Sequence, residues 1–174
     1  SNLVGKNRRR YGGYVIHVGV VMVFIGVAAS SAFRLEEQQT IRKGDVVQVG
    51  KFTLTYKDIH FTDDAHYSSM LAEIAVAKDG KFVETMYPEK RFYKKQQQPT
   101  TEVALRSTLT EDLYLVLGSY DDASQLMTMI VFVNPLVNWL WIGGIVMVLG
   151  TVIVMSPTAA EQRALAAALA VEER

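Results

Sequence analysis

The chain has 174 residues, with 18 basic and 18 acidic side chains and no cysteine. That balance excludes a dominant nucleic-acid surface or acidic tail, and the missing thiols exclude a disulfide, a thiol nucleophile or a thiolate metal site within these residues. The apolar residues, 49% of the chain, fall largely into two blocks separated by a polar middle.

Residues 1–10 read as a basic cytoplasmic segment. Lys6, Arg8, Arg9 and Arg10 precede the first apolar block and no acidic residue accompanies them. The positive-inside rule places such a segment on the cytoplasmic side of a membrane. The chain opens on Ser1-Asn2 rather than Met, which reads as a processed or excised piece. Residues 11–33 form the first block, 23 residues with no charged side chain. As a helix they extend about 34 Å, enough for a hydrocarbon core of about 30 Å. The block is too long for the core of a cleaved signal peptide.

Residues 34–134 read as a β domain, placed in the periplasm by the first span. Phe52, Leu54 and Tyr56 alternate with polar neighbours, as do Met70, Ala72, Ile74 and Val76. Asp79-Gly80 is a hairpin signal, with Lys81–Tyr87 as the return strand ended by Pro88. Val103 and Leu105, the run Leu113–Leu117, and Leu126, Thr128, Ile130 and Phe132 complete six or seven short strands. A small antiparallel barrel or sandwich accommodates them, and the pattern does not choose between the two. Arg91–Pro99 is expected as a polar loop. The stretch Asp58–His66, with two histidines and three aspartates, is also expected as a loop. Its side chains allow a divalent-metal site around His60 and His66, but a solvated acidic loop accounts for them as well.

Residues 136–155 form a second span, with Trp139 and Trp141 near its outer end as an aromatic belt. Ser156-Pro157 stops it. Residues 156–174 read as a cytoplasmic, Ala-rich tail of good helix propensity.

His17 is the one ionisable group of acid–base relevance inside the first span. An imidazole there is costly without a partner and marks a functional-site hypothesis. On a helical wheel Gly12, Gly19 and Gly26 form one stripe, suited to close helix packing. His17 lies about 160° from Gly19, on a face shared with Gly13, Val20, Val21 and Phe24. Gly143 and Gly150 repeat the seven-residue spacing in the second span. These small-residue faces imply more helices than two. Position alone leaves two readings of His17: a hydrogen bond to a carbonyl of a neighbouring helix, or coordination of a metal, most naturally haem iron. Arg91, Lys94 and Lys95 similarly read as a solvated loop, or as cations that meet a haem propionate or an acidic partner.

The run Asn7-Arg8-Arg9-Arg10-Tyr11-Gly12-Gly13-Tyr14-Val15-Ile16-His17-Val18-Gly19 resembles that of CcmF-type haem lyase subunits of cytochrome c maturation. So do Thr101–Ala104 followed by Glu111–Gly118, and Asn134–Gly144, in the family's order. The resemblance implies the C-terminal portion of a many-helix protein of the bacterial inner membrane; the basic segment and the two spans place both termini of this piece in the cytoplasm. It implies that His17 is one of two axial ligands to the iron of haem b; His17 stands seven residues past Arg10, about 10 Å of helix rise, so a haem it holds is expected in the cytoplasmic half of the bilayer. It assigns no catalytic residue here and no haem-ligand role to His60 or His66. The implied partners are the remaining helices, other haem lyase subunits, a periplasmic haem chaperone and apocytochrome c, whose thiols receive the haem. No nucleic-acid partner is implied, and the chain is not expected to be catalytic alone. The competing expectation is a membrane-anchored scaffold whose β domain docks a partner by strand addition without ligating haem.

Overall fold

The computed structural model describes residues 7–157, 161–163 and 169. Most of the expected helical tail therefore lies outside the described residues. Among the described residues the elements are, in chain order, helix α1 (Arg8–Ala32), ten strands, and helix α2 (Val137–Met155). They divide into two compact units: a helical one, comprising α1 through Ala28 and α2 from Asn138, and a β unit spanning 29–137.

Both helices are long and apolar enough to cross a membrane, and only 11% of each apolar window is buried. The residues that are buried in them are glycines: Gly12, Gly19 and Gly26 in α1, Gly143 and Gly150 in α2. The helices run past each other with Gly12 facing Gly150 and Gly19 facing Gly143. A Cβ on Gly19 would lie 2.7 Å from the Gly143 carbonyl oxygen, and one on Gly12 would lie 2.9 Å from that of Gly150. The reciprocal distances are 2.7 Å from Gly143 to the Gly19 oxygen and 3.0 Å from Gly150 to the Gly12 oxygen. Two seven-residue glycine repeats thus interlock at backbone contact, the close approach that small residues permit in lipid. The opposite surfaces carry large apolar side chains in the open, among them Phe24 at 71% and Trp141 at 72% exposure.

The β unit contains β1 (Leu35–Ile41), β2 (Val46–Val49), β3 (Phe52–Asp63), β4 (Tyr67–Lys78), β5 (Lys81–Met86), β6 (Glu89–Tyr93), β7 (Gln98–Glu102), β8 (Ala104–Ser107), β9 (Glu111–Asp121) and β10 (Leu126–Pro135). They form two open antiparallel sheets, β1-β10-β9-β8 and β2-β3-β4-β6-β7, with β5 on the edge of β4. Their inward faces share one core of Phe52, Leu54, Tyr56, Ala72, Ile74 and Val76 from the larger sheet against Leu113, Leu115, Leu117, Met127, Met129 and Val131 from the smaller. Neither sheet closes on itself, so the barrel-or-sandwich question resolves to a sandwich.

Several local expectations hold and several are corrected. Asp79 and Gly80 both have positive φ, 50° and 76°, and turn the chain from β4 into β5, as a primed two-residue turn requires. Tyr87 and Pro88 separate β5 from β6, which then share the two halves of one edge of β4. Arg91–Pro99 is not a loop. It is a hairpin of β6 and β7 in which Phe92 faces Pro99 and Tyr93 faces Gln98. Asp58–Asp63 is likewise the end of β3, not loop. Strands β1 and β2 escape the periodicity because β1 (LEEQQTI) is a polar edge strand, exposed at every position except Ile41. On β10 the buried set is Met127, Met129, Val131 and Val133, the opposite phase from Leu126, Thr128, Ile130 and Phe132. Both faces of that strand are apolar, so alternation alone cannot fix which one turns inward. On β8 Leu105 is exposed, and Ala104 and Arg106 are the more buried positions.

Ion pairs and a bulge tie the sheets at their rims. Lys78 of β4 pairs with Glu111 of β9, and Arg106 of β8 donates to Glu84 of β5 at 2.9 Å. The register of β9 and β10 shifts around Gly118, and the Gly118 carbonyl accepts a hydrogen bond from the Lys90 ammonium at 2.5 Å.

The core carries one titratable group with a consequence for stability. Burial, with Tyr120 and Asp58 nearby, pushes the Tyr56 phenol up from 10.0 to about 12. Its neutral form is the one the fold favours. Its contribution is therefore intact below pH 10.0 and is lost as pH rises through about 12. The thermal midpoint of the detergent-solubilised protein is expected to fall over that window by an amount equivalent to about 2 kcal/mol. In Tyr56→Phe that part of the alkaline loss should disappear.

Candidate functional site: the His17 face of the first helix

On α1 the structure places His17 on the exposed surface, away from the buried glycine stripe. Its Nδ1 lies 2.7 Å from the carbonyl oxygen of Gly13, one turn earlier. A carbonyl only accepts, so Nδ1 carries the proton in this contact and donates it. The neutral ring then presents its lone pair at Nε2, the arrangement that orients an imidazole for coordination. Among the described residues the ring has no other hydrogen-bond partner. The carbonyl expected from a neighbouring helix is supplied by His17's own helix, which leaves Nε2 free for another partner on an exposed side chain. A Cβ on Gly13 would meet nothing within 4 Å. Gly13 and Gly12 are adjacent glycines with different duties: Gly12 is pressed against α2, and Gly13 leaves open space beside the imidazole.

The face continues beyond His17 in both directions. Val21 and Phe24 extend it with exposed apolar surface, and Tyr14 lies on its other side, also exposed. Arg10 Nε donates to the Tyr14 hydroxyl at 2.8 Å, and the guanidinium sits 5.8 Å from the centre of the Tyr14 ring. In the sequence Arg10 reads as one of a row of basic residues and as a marker of the depth of His17. The spacings Arg10 to Tyr14 (i, i+4) and Arg10 to His17 (i, i+7) were the available signal that all three share one side of the helix. Arg9 is turned elsewhere and pairs with Glu161 at 2.7 Å.

In the β unit the candidate metal cluster around His60 does not assemble. Among the described residues no group of three or more His, Asp or Glu side chains is arranged to hold a metal. The acidic groups there have other partners. Asp58 pairs with Lys43 at 2.8 Å, and Asp63 pairs with Lys94 at 2.7 Å and accepts from Ser68 at 2.7 Å. Those hydrogen bonds, to Lys43 and to Lys94 respectively, hold both carboxyls below the usual carboxylate range. His60 lies 3.5 Å from Glu73 across the strand pair. Lys94 also donates to the Asp64 carbonyl. Arg91 holds Glu89 at 2.8 Å and stacks on Tyr67, which keeps the Glu89 carboxyl low. These cations are engaged within the domain. They form a structural girdle at the tip of β3, β4 and the β6–β7 hairpin.

Comparison with known proteins places this architecture. The family described as the CcmF C-terminal beta-sandwich matches residues 32–135, the β unit with the end of α1. The chain is 31% identical over 150 residues to the cytochrome c-type biogenesis protein CcmF of Haemophilus influenzae, covering 86% of this chain and 23% of that protein. It is 32% identical over 143 residues to CcmF of Pseudomonas aeruginosa, covering 82% of this chain and 22% of the relative. A solved structure of cytochrome c haem lyase CcmF superposes with a TM-score of 0.67 at 24% identity, over 88% of this chain and 26% of that one. That likeness concerns the fold. The chain thus spans about a quarter of the length of these relatives. With the sandwich, the flanking apolar helices and these matches together, the chain belongs to the CcmF family of cytochrome c-type biogenesis proteins, of which it carries the C-terminal β-sandwich and the helices on either side of it.

Proposed function

We propose that this chain is the C-terminal part of a membrane haem lyase of cytochrome c biogenesis, and that His17 supplies one of two axial ligands to a b-type haem. The observation that carries the reading is the state of the ring: Nδ1 is tied to Gly13 and, among the described residues, Nε2 has no partner on an exposed, largely apolar helix face. The residues present suit the group. The imidazole is a haem ligand of ordinary type, Gly13 leaves space next to it, and Val21 and Phe24 offer apolar surface to a porphyrin. A haem held there supplies one-electron redox chemistry. His17 fixes its position, the Gly13 carbonyl fixes the tautomer of His17, and the surrounding side chains exclude water.

The second ligand comes from helices outside this chain, as does whatever covers the exposed surfaces of α1 and α2. The β sandwich faces the periplasm, where the lyase takes haem from a chaperone and joins it to cysteine thiols of apocytochrome c. The other haem lyase subunits assemble around the same helices. Arg8, Arg9 and Arg10 at the start of α1 support a cytoplasmic N-terminus, which puts the sandwich on the far side and returns the C-terminal tail to the cytoplasm. In the rival reading, a scaffold that ligates no haem, the exposed strand β7 at the edge of the larger sheet is a natural place for strand addition.

Orientation is open to a direct test. Lys95 lies exposed in the turn between β6 and β7, and this chain contains no cysteine. A cysteine introduced there (Lys95→Cys) is expected to react with a membrane-impermeant maleimide in intact spheroplasts. Labelling only after the membrane is opened would place the sandwich in the cytoplasm and sink the proposal. The two readings of function separate on haem content after loss of His17, treated below.

A further inference from the structure

We propose that Arg10 binds a propionate carboxylate of the haem held by His17, with Tyr14 fixing the guanidinium in place; this rests on the reading of His17 as a haem ligand. Of the three consecutive arginines, only Arg10 shares the His17 face. Seven residues on a helix return to within about 20° of the same direction, whereas Arg8 falls about 180° away and Arg9 about 80° away. Arg9 is, in addition, already paired with Glu161.

Arg10 also stands at a suitable height. It precedes His17 by about 10 Å of helix rise, comparable to the reach from a porphyrin's centre to the end of its propionate arm. The propionates are the anionic part of haem, and a carboxylate at the edge of hydrocarbon is costly unless a cation meets it. The guanidinium is prepared for that role. Its Nε is spent on the Tyr14 hydroxyl at 2.8 Å and its plane is steadied near the Tyr14 ring. Among the described residues its two Nη groups have no partner. Those are the parallel donors that grip a carboxylate in bidentate fashion. Tyr14 has lost little freedom to do this, being a two-torsion side chain on the same helix face.

The test compares two probes in the full-length protein: protohaem and its dimethyl ester, in which both propionates are uncharged. Release of each to excess apomyoglobin is followed by absorbance. In Arg10→Gln, protohaem should leave about tenfold faster than in the wild type, as expected for losing a charge-assisted hydrogen bond, whereas the ester should leave both proteins at the same rate. Arg10→Lys should fall between for protohaem. Equal protohaem release from Arg10→Gln and wild type would overturn the proposal and leave Arg10 as an anchor to lipid headgroups. Equal acceleration of protohaem and ester would also overturn it, showing that Arg10 acts on the helix rather than on the propionate. Failure of the underlying reading looks different: the wild-type protein would hold no b-type haem, or His17→Ala would hold it as firmly as the wild type.

Discussion

Replacing His17 by alanine is expected to lower the b-type haem of the assembled protein by tenfold or more, a loss at least as large as the roughly 10–100-fold effects of removing a ligand's outer-shell partner. The reasoning is local. The ring is held on one side by the Gly13 carbonyl at 2.7 Å and makes no contact with the glycine seam. Removing it therefore costs the helix pair nothing: Gly12, Gly19, Gly143 and Gly150 keep their contacts. Protein abundance in the membrane should stay near the wild-type level while the haem bands collapse, and covalent haem on c-type cytochromes should fall with them. A scaffold that ligates no haem predicts unchanged absorbance.

The second large effect concerns that seam. Gly19→Val is expected to separate α1 from α2 and to destabilise the helical unit by about 3 kcal/mol or more, beyond ordinary overpacking of a core. A Cβ at Gly19 would sit 2.6 Å from Met147 Cγ, which can move, and 2.7 Å from the Gly143 carbonyl oxygen, which belongs to a helix backbone and cannot. Gly143→Val meets the mirror situation, 2.7 Å from the Gly19 carbonyl and 2.8 Å from Val23. The internal control is Gly13→Ala, a substitution one helical turn from His17 that meets nothing within 4 Å. Thermal stability in detergent should drop for Gly19→Val and Gly143→Val and hold or rise slightly for Gly13→Ala, since alanine is the better helix former. Equal stability of all three would refute the glycine seam.

Much of this architecture was legible in the residues because the strongest patterns have one physical solution. A 23-residue uncharged block after three arginines can hardly be anything but a span, and glycines seven apart predict the packed stripe that α1 and α2 show. Phe52, Leu54 and Tyr56 point inward as their alternation required. The failures share a cause. Strand β1 is polar on nearly all positions because it is an edge, so it has no apolar period to detect. Strand β10 is apolar on both faces, and its true phase depends on β9 packing across the core. The stretch RFYKKQQQP looks like a loop because its cations seem unpaired in sequence; Arg91 and Lys94 meet Glu102 and Asp63 only once the strands are aligned.

The candidate site divides along the same line. Its central residue and its open neighbour, His17 and Gly13, could be placed by helical periodicity. The tie from Nδ1 to the Gly13 carbonyl and the hold of Tyr14 on Arg10 depend on rotamers. In the proposed haem site one imidazole is half of an axial pair, and this chain spans about a quarter of its relatives' length.

The most direct measurement is the ferric and ferrous absorbance spectrum of His17→Gly in the full-length protein, recorded with and without added imidazole. If Nε2 of His17 ligates the haem, the variant loses the low-spin bands, and free imidazole restores them while leaving the wild-type spectrum unchanged. A low-spin spectrum in His17→Gly identical to wild type without any imidazole would contradict the assignment.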